Sequence, residues 1–284
     1  MKPAAFAYHR IHDVAETVAL LTELGPEAKV LAGGQSLVAM MNFRLARPAA
    51  LVDITRVTGL DYLRRDATGL RIGALTRHRT VETTRDHSVL DGFGVLPRSA
   101  RWIGHYPIRC RGTFGGSIAH GDPAAEWCLL AVLLDAVVVL VGPRVRREVP
   151  ANEFFHGVLT TAAEPDEVVI EVRFPRPAPY AALTEFAQRA GDFAIVAAAV
   201  SVEVADGVCR SGRVVLGGVH HVPRIIAVEP AGRPATESTW RAIGEEAAEQ
   251  TDPPSDGHGS GEYRRRLAAT LVARALADAV RAKR

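Results

Sequence analysis

Along the chain, apolar and polar positions switch repeatedly between strand-like runs and helix-like spacing, and the switches mark short elements. Asp13 is placed to cap a helix running to about Leu24, with Glu16 three residues on to complete a capping box and Gly25-Pro26 to stop it. "KVLA" reads as a strand that enters Gly33-Gly34-Gln35-Ser36, "LVAMMNFRLARP" is an apolar run ended by Pro48, and "ALVDIT" is a further short strand. "LRIGALTRHRTVE" reads as a strand followed by the start of a helix. Asp122 is placed to cap another helix, with Pro123 at its first position and Glu126 in its first turn, running to Leu134. "AVVVLV" then reads as a buried, β-branched strand.

The pattern changes at Pro175-Arg176-Pro177-Ala178-Pro179, where prolines this close together mark a boundary. Beyond it "FAIVAAAVSVEVADGVCRSGRVVLGGVHH" alternates strand-like runs around a hairpin at Asp206-Gly207. Two helices follow, roughly Glu237 to Gln250 and Glu262 to Ala282, with "TDPPSDGHGSG" as the loop between them. Short α/β elements first, then strands followed by helices, predict an α/β unit and an α+β C-terminal unit.

Composition narrows the function classes. With 284 residues, 48% hydrophobic and 23% charged, the chain has material for more than one globular core. A net charge of +2 does not suggest a nucleic-acid binder. "MKPAAFAYHRIHD" lacks the apolar core of a signal peptide, and no run is long enough to span a bilayer, so a cytoplasmic protein is expected. Cys110, Cys128 and Cys209 are scattered without C-x-x-C spacing, which signals neither a disulfide framework nor a metal or iron–sulfur site.

The candidate chemistry lies in two glycine pairs. "AGGQS", Ala32 to Ser36, and "TFGGS", Thr113 to Ser117, each join two glycines to a hydroxyl. Neither fits G-x-G-x-x-G or a P-loop. Alone, each reads as a turn between elements. Together they suggest two backbone N–H nests facing one pyrophosphate.

"VLAGGQSLVAMMNFRLARPAALVDI" and "IGHYPIRCRGTFGGSIAHGDPAAEW" resemble the paired flavin motifs of the FAD-binding medium subunits of molybdenum hydroxylases, the family of carbon monoxide dehydrogenase and xanthine dehydrogenase. In the second motif only Cys110 and Phe114 depart appreciably from the family pattern. "EFFHGVLTTAAEPDEVVIEVRFP", "RAGDFAIVAAAVSVEV" and "LGGVHHVPRIIAVE" extend the resemblance over nearly the whole chain.

The resemblance implies an α+β protein: a PCMH-type FAD-binding domain of two α/β subdomains (1–175, subdomains about 1–55 and 56–175), then an α+β C-terminal domain (180–284). It implies that Ala32, Gly33, Gly34, Gln35, Ser36, Thr113, Phe114, Gly115, Gly116 and Ser117 hold FAD. Glu126 matches an acid that contacts FAD, although a first-turn helix charge would look the same. Val169 matches an apolar position beside the flavin, and reads equally as a strand residue. Phe193 matches an aromatic that covers the flavin ring, and reads equally as core. Glu185 stands where the family often has lysine. FAD would pass electrons from two [2Fe–2S] clusters on a small subunit to an external acceptor, with the molybdenum cofactor on a large subunit and the whole a dimer of heterotrimers. The alternatives are a self-contained FAD-dependent reductase of the same fold and a scaffold subunit that has lost flavin.

Overall fold

The computed structural model of the protein describes residues 2–282, so the outermost limits expected for the two domains, residues 1 and 284, lie outside the described residues. Three sheets organise it. The first is a parallel sheet of β1 (Ala7–Arg10), β2 (Ala28–Leu31) and β3 (Ala50–Asp53) in the order β1-β3-β2. Helix α1 (Val14–Leu24) makes the first crossover, and α2 (Leu37–Asn42) follows β2. Asp13 caps α1 by accepting from the Glu16 N–H at 2.7 Å, and Glu16 reaches back to the His12 N–H. The apolar run after the first glycine pair forms α2 and stops at Phe43, five residues before Pro48.

The second sheet is antiparallel, built from β4 (Leu63–Asp66), β5 (Gly69–Gly73), β6 (Val137–Val141), β7 (Arg146–Pro150) and β10 (Val168–Phe174) in the order β4-β5-β10-β6-β7, with a small hairpin of β8 (Phe155–Gly157) and β9 (Thr160–Thr161) beside it. Between β5 and β6 run α3 (His78–Glu82), α4 (His87–Phe93), α5 (Val95–Ser99), α6 (Tyr106–Arg111), α7 (Phe114–His120) and α8 (Glu126–Leu133), and α9 (Ala151–Phe154) follows β7. Every residue of α8 from Trp127 to Leu133 is buried, so it is a core helix with no wet face. Its packing with Phe114, Phe154 and Phe174 forms the largest apolar core, each such side chain contributing about 1.5–3 kcal/mol of burial.

Helix α8 begins later than its capping signal predicts. Asp122 instead accepts from the Ala124 N–H at 2.8 Å and from the Ala125 N–H through its carbonyl at 3.1 Å. That closes a turn, so the helix starts at Glu126, with Ala125 at the cap position and no side-chain cap.

The third sheet, β11 (Ala181–Phe186), β12 (Val196–Ala205), β13 (Val208–Gly217) and β14 (Arg224–Ile226), is an antiparallel meander with the hairpin turn at Asp206-Gly207. Helices α10 (Glu237–Glu249) and α11 (Gly261–Arg281) cover one face and form a separate core with it. Its other face packs on α8, which joins the two units. Among the described residues no helix is long and apolar enough to cross a membrane.

Candidate functional site

The first glycine pair leaves the carboxyl end of β2, the edge of a parallel sheet where open α/β folds bind ligands. Gly34 takes φ of 74°, a left-handed conformation that an L side chain resists. A Cβ on Gly33 would stand 2.5 Å from the Arg111 carbonyl oxygen and 2.7 Å from Gly112 Cα, so this turn lies backbone to backbone against the end of α6. Gln35 clamps it by donating from Nε2 to the Gly33 carbonyl at 2.9 Å. Among the described residues, the N–H groups of Gly33, Gly34, Gln35 and Ser36 meet no acceptor in the chain. Four open donors on one turn form an anion nest, and Ser36, at the cap position of α2, adds a hydroxyl that caps nothing.

The second pair is not a second nest. Gly115 and Gly116 lie inside α7, which Thr113 caps by accepting from the Gly116 N–H. The Phe114 N–H donates to the Thr76 carbonyl at 2.8 Å, that of Gly115 to Ala74 at 3.0 Å, and that of Ser117 to Thr113 at 3.1 Å. With each N–H from Phe114 to Ser117 engaged, the glycine pair offers a thin wall beside the Ser117 hydroxyl. Gly115 is required by packing, since its Cβ would fall 2.5 Å from Ala74 Cβ. Phe114 is turned away from the site: its ring is fully buried and stacks on Trp127 at 4.7 Å between centroids.

Both segments border one cleft of about 570 Å³ that also takes in Val169, Glu126, Thr161 and Phe193. Val169 is buried beside a β-bulge in β10, whereas Phe193 is 66% exposed at the mouth and comes from the second unit. The loop carrying Phe193 rests on the first unit at Gly191, whose Cβ would lie 2.6 Å from His105 Cε1. Glu185 does not border the cleft. It lies half-buried behind the wall, and its Oε2 is buried without a partner.

Two features were not singled out in the sequence. His78 is buried on the cleft wall, and its Nδ1 accepts from Trp127 Nε1 at 3.0 Å, which leaves the proton on Nε2. Burial, helped by Arg77 and Arg109, drives its pKa down to about 3, so the ring is a neutral donor. His120 also lines the cleft and is shifted down by burial. Nothing in "LTRHRTVE" reveals a tautomer set by a tryptophan 49 positions away.

The charges are unusual for an anion site. Lys29 is the one cation on the wall among the described residues, against Asp122, Glu126, Glu164, Glu167 and Asp192. Glu167 is paired with Arg147 at 2.6 Å, which holds its carboxyl below the usual range. Glu126 is pushed up to about 8, first by burial and then by Glu185, and burial pushes Glu185 up to about 7. The open donors on this wall are neutral N–H groups. The lining fits a dinucleotide: the open donors of the glycine cradle would serve a pyrophosphate, and the apolar Val169 and Phe193 would serve a flat ring.

Comparison with known proteins agrees with this fit. Residues 4–177 match the FAD binding domain in molybdopterin dehydrogenase, and residues 181–279 match the CO dehydrogenase flavoprotein C-terminal domain. The chain is 38% identical to the 6-hydroxypseudooxynicotine dehydrogenase complex subunit alpha of Paenarthrobacter nicotinovorans, covering 99% of this chain and 96% of that one. It is 34% identical to the carbon monoxide dehydrogenase medium chain of Hydrogenophaga pseudoflava, over 97% of each. Quinoline 2-oxidoreductase from Pseudomonas putida 86 contains a chain that superposes with a TM-score of 0.94 at 34% identity, covering 100% of this chain and 99% of that one. The chain thus belongs to the FAD-binding medium subunits of the molybdopterin dehydrogenases, a family of oxidoreductases whose cofactor on this subunit is FAD.

Proposed function

We propose that this chain is the electron-transfer subunit of a molybdenum-containing hydroxylase, linking [2Fe–2S] clusters on a small partner to an external acceptor, with the molybdenum cofactor on a large partner. The observation that carries the reading is the open nest of Gly33 to Ser36 facing the Ser117 side of a single cleft. Bound FAD supplies the conversion between one-electron carriers and a two-electron acceptor. The chain's residues supply position. The nest and the neutral His78 Nε2–H hold the pyrophosphate without a cation, and Val169 gives the ring an apolar wall. Phe193, from the other unit, covers the mouth and limits access by water and oxygen. Glu126, at the start of α8, borders the cleft, where its protonation sets the local charge. The division of the chain near Pro175 to Pro179 gives one domain to the cofactor and one to closing the cleft. The names of the relatives, which include medium chains and a complex subunit, support partners of this kind; the assembly proposed is a cytoplasmic dimer of heterotrimers.

The test is co-expression with candidate small and large subunits, followed by anaerobic reduction through the complex. Flavin bands in this chain that bleach when the partners' substrate is added, and stay when the cluster subunit is left out, are the expected result. A flavin that bleaches equally without the cluster subunit contradicts the proposed route.

A further inference from the structure

Glu126 opens α8 in the first unit and Glu185 sits on β11 in the second. Register brings them to one place. Glu185 pairs with Ala197 and Ala197 with Gly217, so the three positions form one row with side chains on a common face. At the end of that row a Cβ on Gly217 would stand 2.6 Å from the Pro123 carbonyl oxygen and 3.1 Å from Ala124 Cα. The face is therefore pressed against the segment that leads into Glu126. Leu183, two residues before Glu185 on the same face, belongs to the core that includes Trp127 and Leu129 of α8. Ala197, the middle of the row, is fully buried and small, which leaves room for the Glu185 side chain to reach toward the start of α8.

No cation answers this meeting of acids. Among the described residues neither glutamate forms an ion pair, and Glu185 Oε2 is buried without a hydrogen-bond partner. Around Glu126 the lead-in turn contributes Asp122 and α8 itself Cys128, while α7 ends in His120, whose charged form burial disfavours. Two guanidinium groups are engaged elsewhere: Arg98 on the Ala181 carbonyl, and Arg264 of α11 on the Ile195 and Gly218 carbonyls and on Asp256 at 2.6 Å. On α11 Tyr263 packs against the ring of Phe186, next along β11. Two carboxylates meeting with no positive neighbour are stable only if one of them keeps its proton.

We propose that Glu126 and Glu185 form an interdomain acid pair that holds one proton between them at neutral pH, and that takes up a second from solvent when negative charge enters the cleft. The second half rests on the reading of the cleft as the FAD site; the first does not. When FAD there gains two electrons from a reductant and one proton from solvent, the pair's remaining carboxylate takes up a further proton, also from solvent. Charge added to the cleft is thereby offset by this chain.

Two measurements test the pair. In the FAD-free full chain, infrared titration follows the carboxylic-acid C=O band. The parent is expected to keep that band through neutral pH, and Glu185→Gln and Glu126→Gln to lose the remaining acid band lower by about one pH unit or more, because removing one acid relieves the other. Unchanged midpoints in both variants would mean independent carboxyls, and the pair is overturned. If Glu185→Gln does not fold, Glu126→Gln and Glu185→Ala report the same coupling. In the FAD-loaded chain, reduction by dithionite in weak buffer near neutral pH should draw more protons per flavin in the parent than in Glu185→Gln. Equal uptake overturns the coupling to the cleft. A chain that fails to take up FAD at all overturns the flavin reading, while the infrared titration still decides the pair.

Discussion

Gly33-Gly34 and Gly115-Gly116 are the same dipeptide, each followed within two residues by a serine, yet they differ in backbone and in role. The first pair makes a turn with φ of 74° at Gly34 and leaves four N–H groups open. The second lies in a helix, where every N–H from Phe114 to Ser117 is already bonded. Gly33 and Gly115 are each demanded by close approach, but Gly33 approaches another turn of backbone and Gly115 approaches Ala74. Donor accounting, and not the presence of glycine, separates a binding turn from a packing device.

Four substitutions test that contrast, in decreasing order of effect. Gly33→Ala drives a Cβ into the backbone of Arg111 and Gly112 and opens the nest; FAD affinity should fall by more than a factor of about 100, or roughly 3 kcal/mol, read by fluorescence titration. Gly115→Ala should act on the fold, lowering unfolding free energy by about 1–3 kcal/mol from overpacking while leaving a smaller loss of FAD affinity. A flavin loss at Gly115 as large as at Gly33, with stability unchanged, would break the comparison.

His78 supplies the next test. Its folded pKa of about 3 lies below the ordinary value of 6.5, so the unfolded chain binds the proton first and stability is lost as pH falls below about 6.5. By about pH 5 the loss should reach about 2 kcal/mol. His78→Asn, which keeps an acceptor for Trp127, should flatten that acid limb in denaturant titrations. A limb as steep as the parent's would show that the ring is already charged. The smallest effect is expected at Phe193, already 66% exposed: Phe193→Ala should change stability by less than about 0.5 kcal/mol yet alter flavin fluorescence and reoxidation by oxygen.

Elements governed by local patterning were legible in the sequence. The Asp13 cap, the β-branched run of β6, the Asp206-Gly207 hairpin and the two closing helices are all where periodicity and turn chemistry put them. The Asp122 cap signal was real chemistry in a turn three residues too early, because the same Asx geometry serves both purposes. The helix in "TFGGS" was hidden because glycine disfavours helix, and only tertiary contact with Ala74 and Thr76 imposes it. Phe114 and Glu185 carried a resemblance to site positions, but the direction of a side chain depends on strand register and helix phase set by distant segments. His78 was invisible for the same reason: its protonation is set by Trp127 and by burial.

The central claim is that the first glycine pair, and not the second, supplies the backbone donors for FAD, and amide hydrogen exchange reads those donors individually. Adding FAD to the stripped chain should slow exchange at Gly33, Gly34, Gln35 and Ser36 by about tenfold or more, since each now has an acceptor, and leave Phe114 to Ser117 little changed because their bonds already exist. Unchanged exchange at residues 33–36, or protection that appears only at 114–117, would contradict the account.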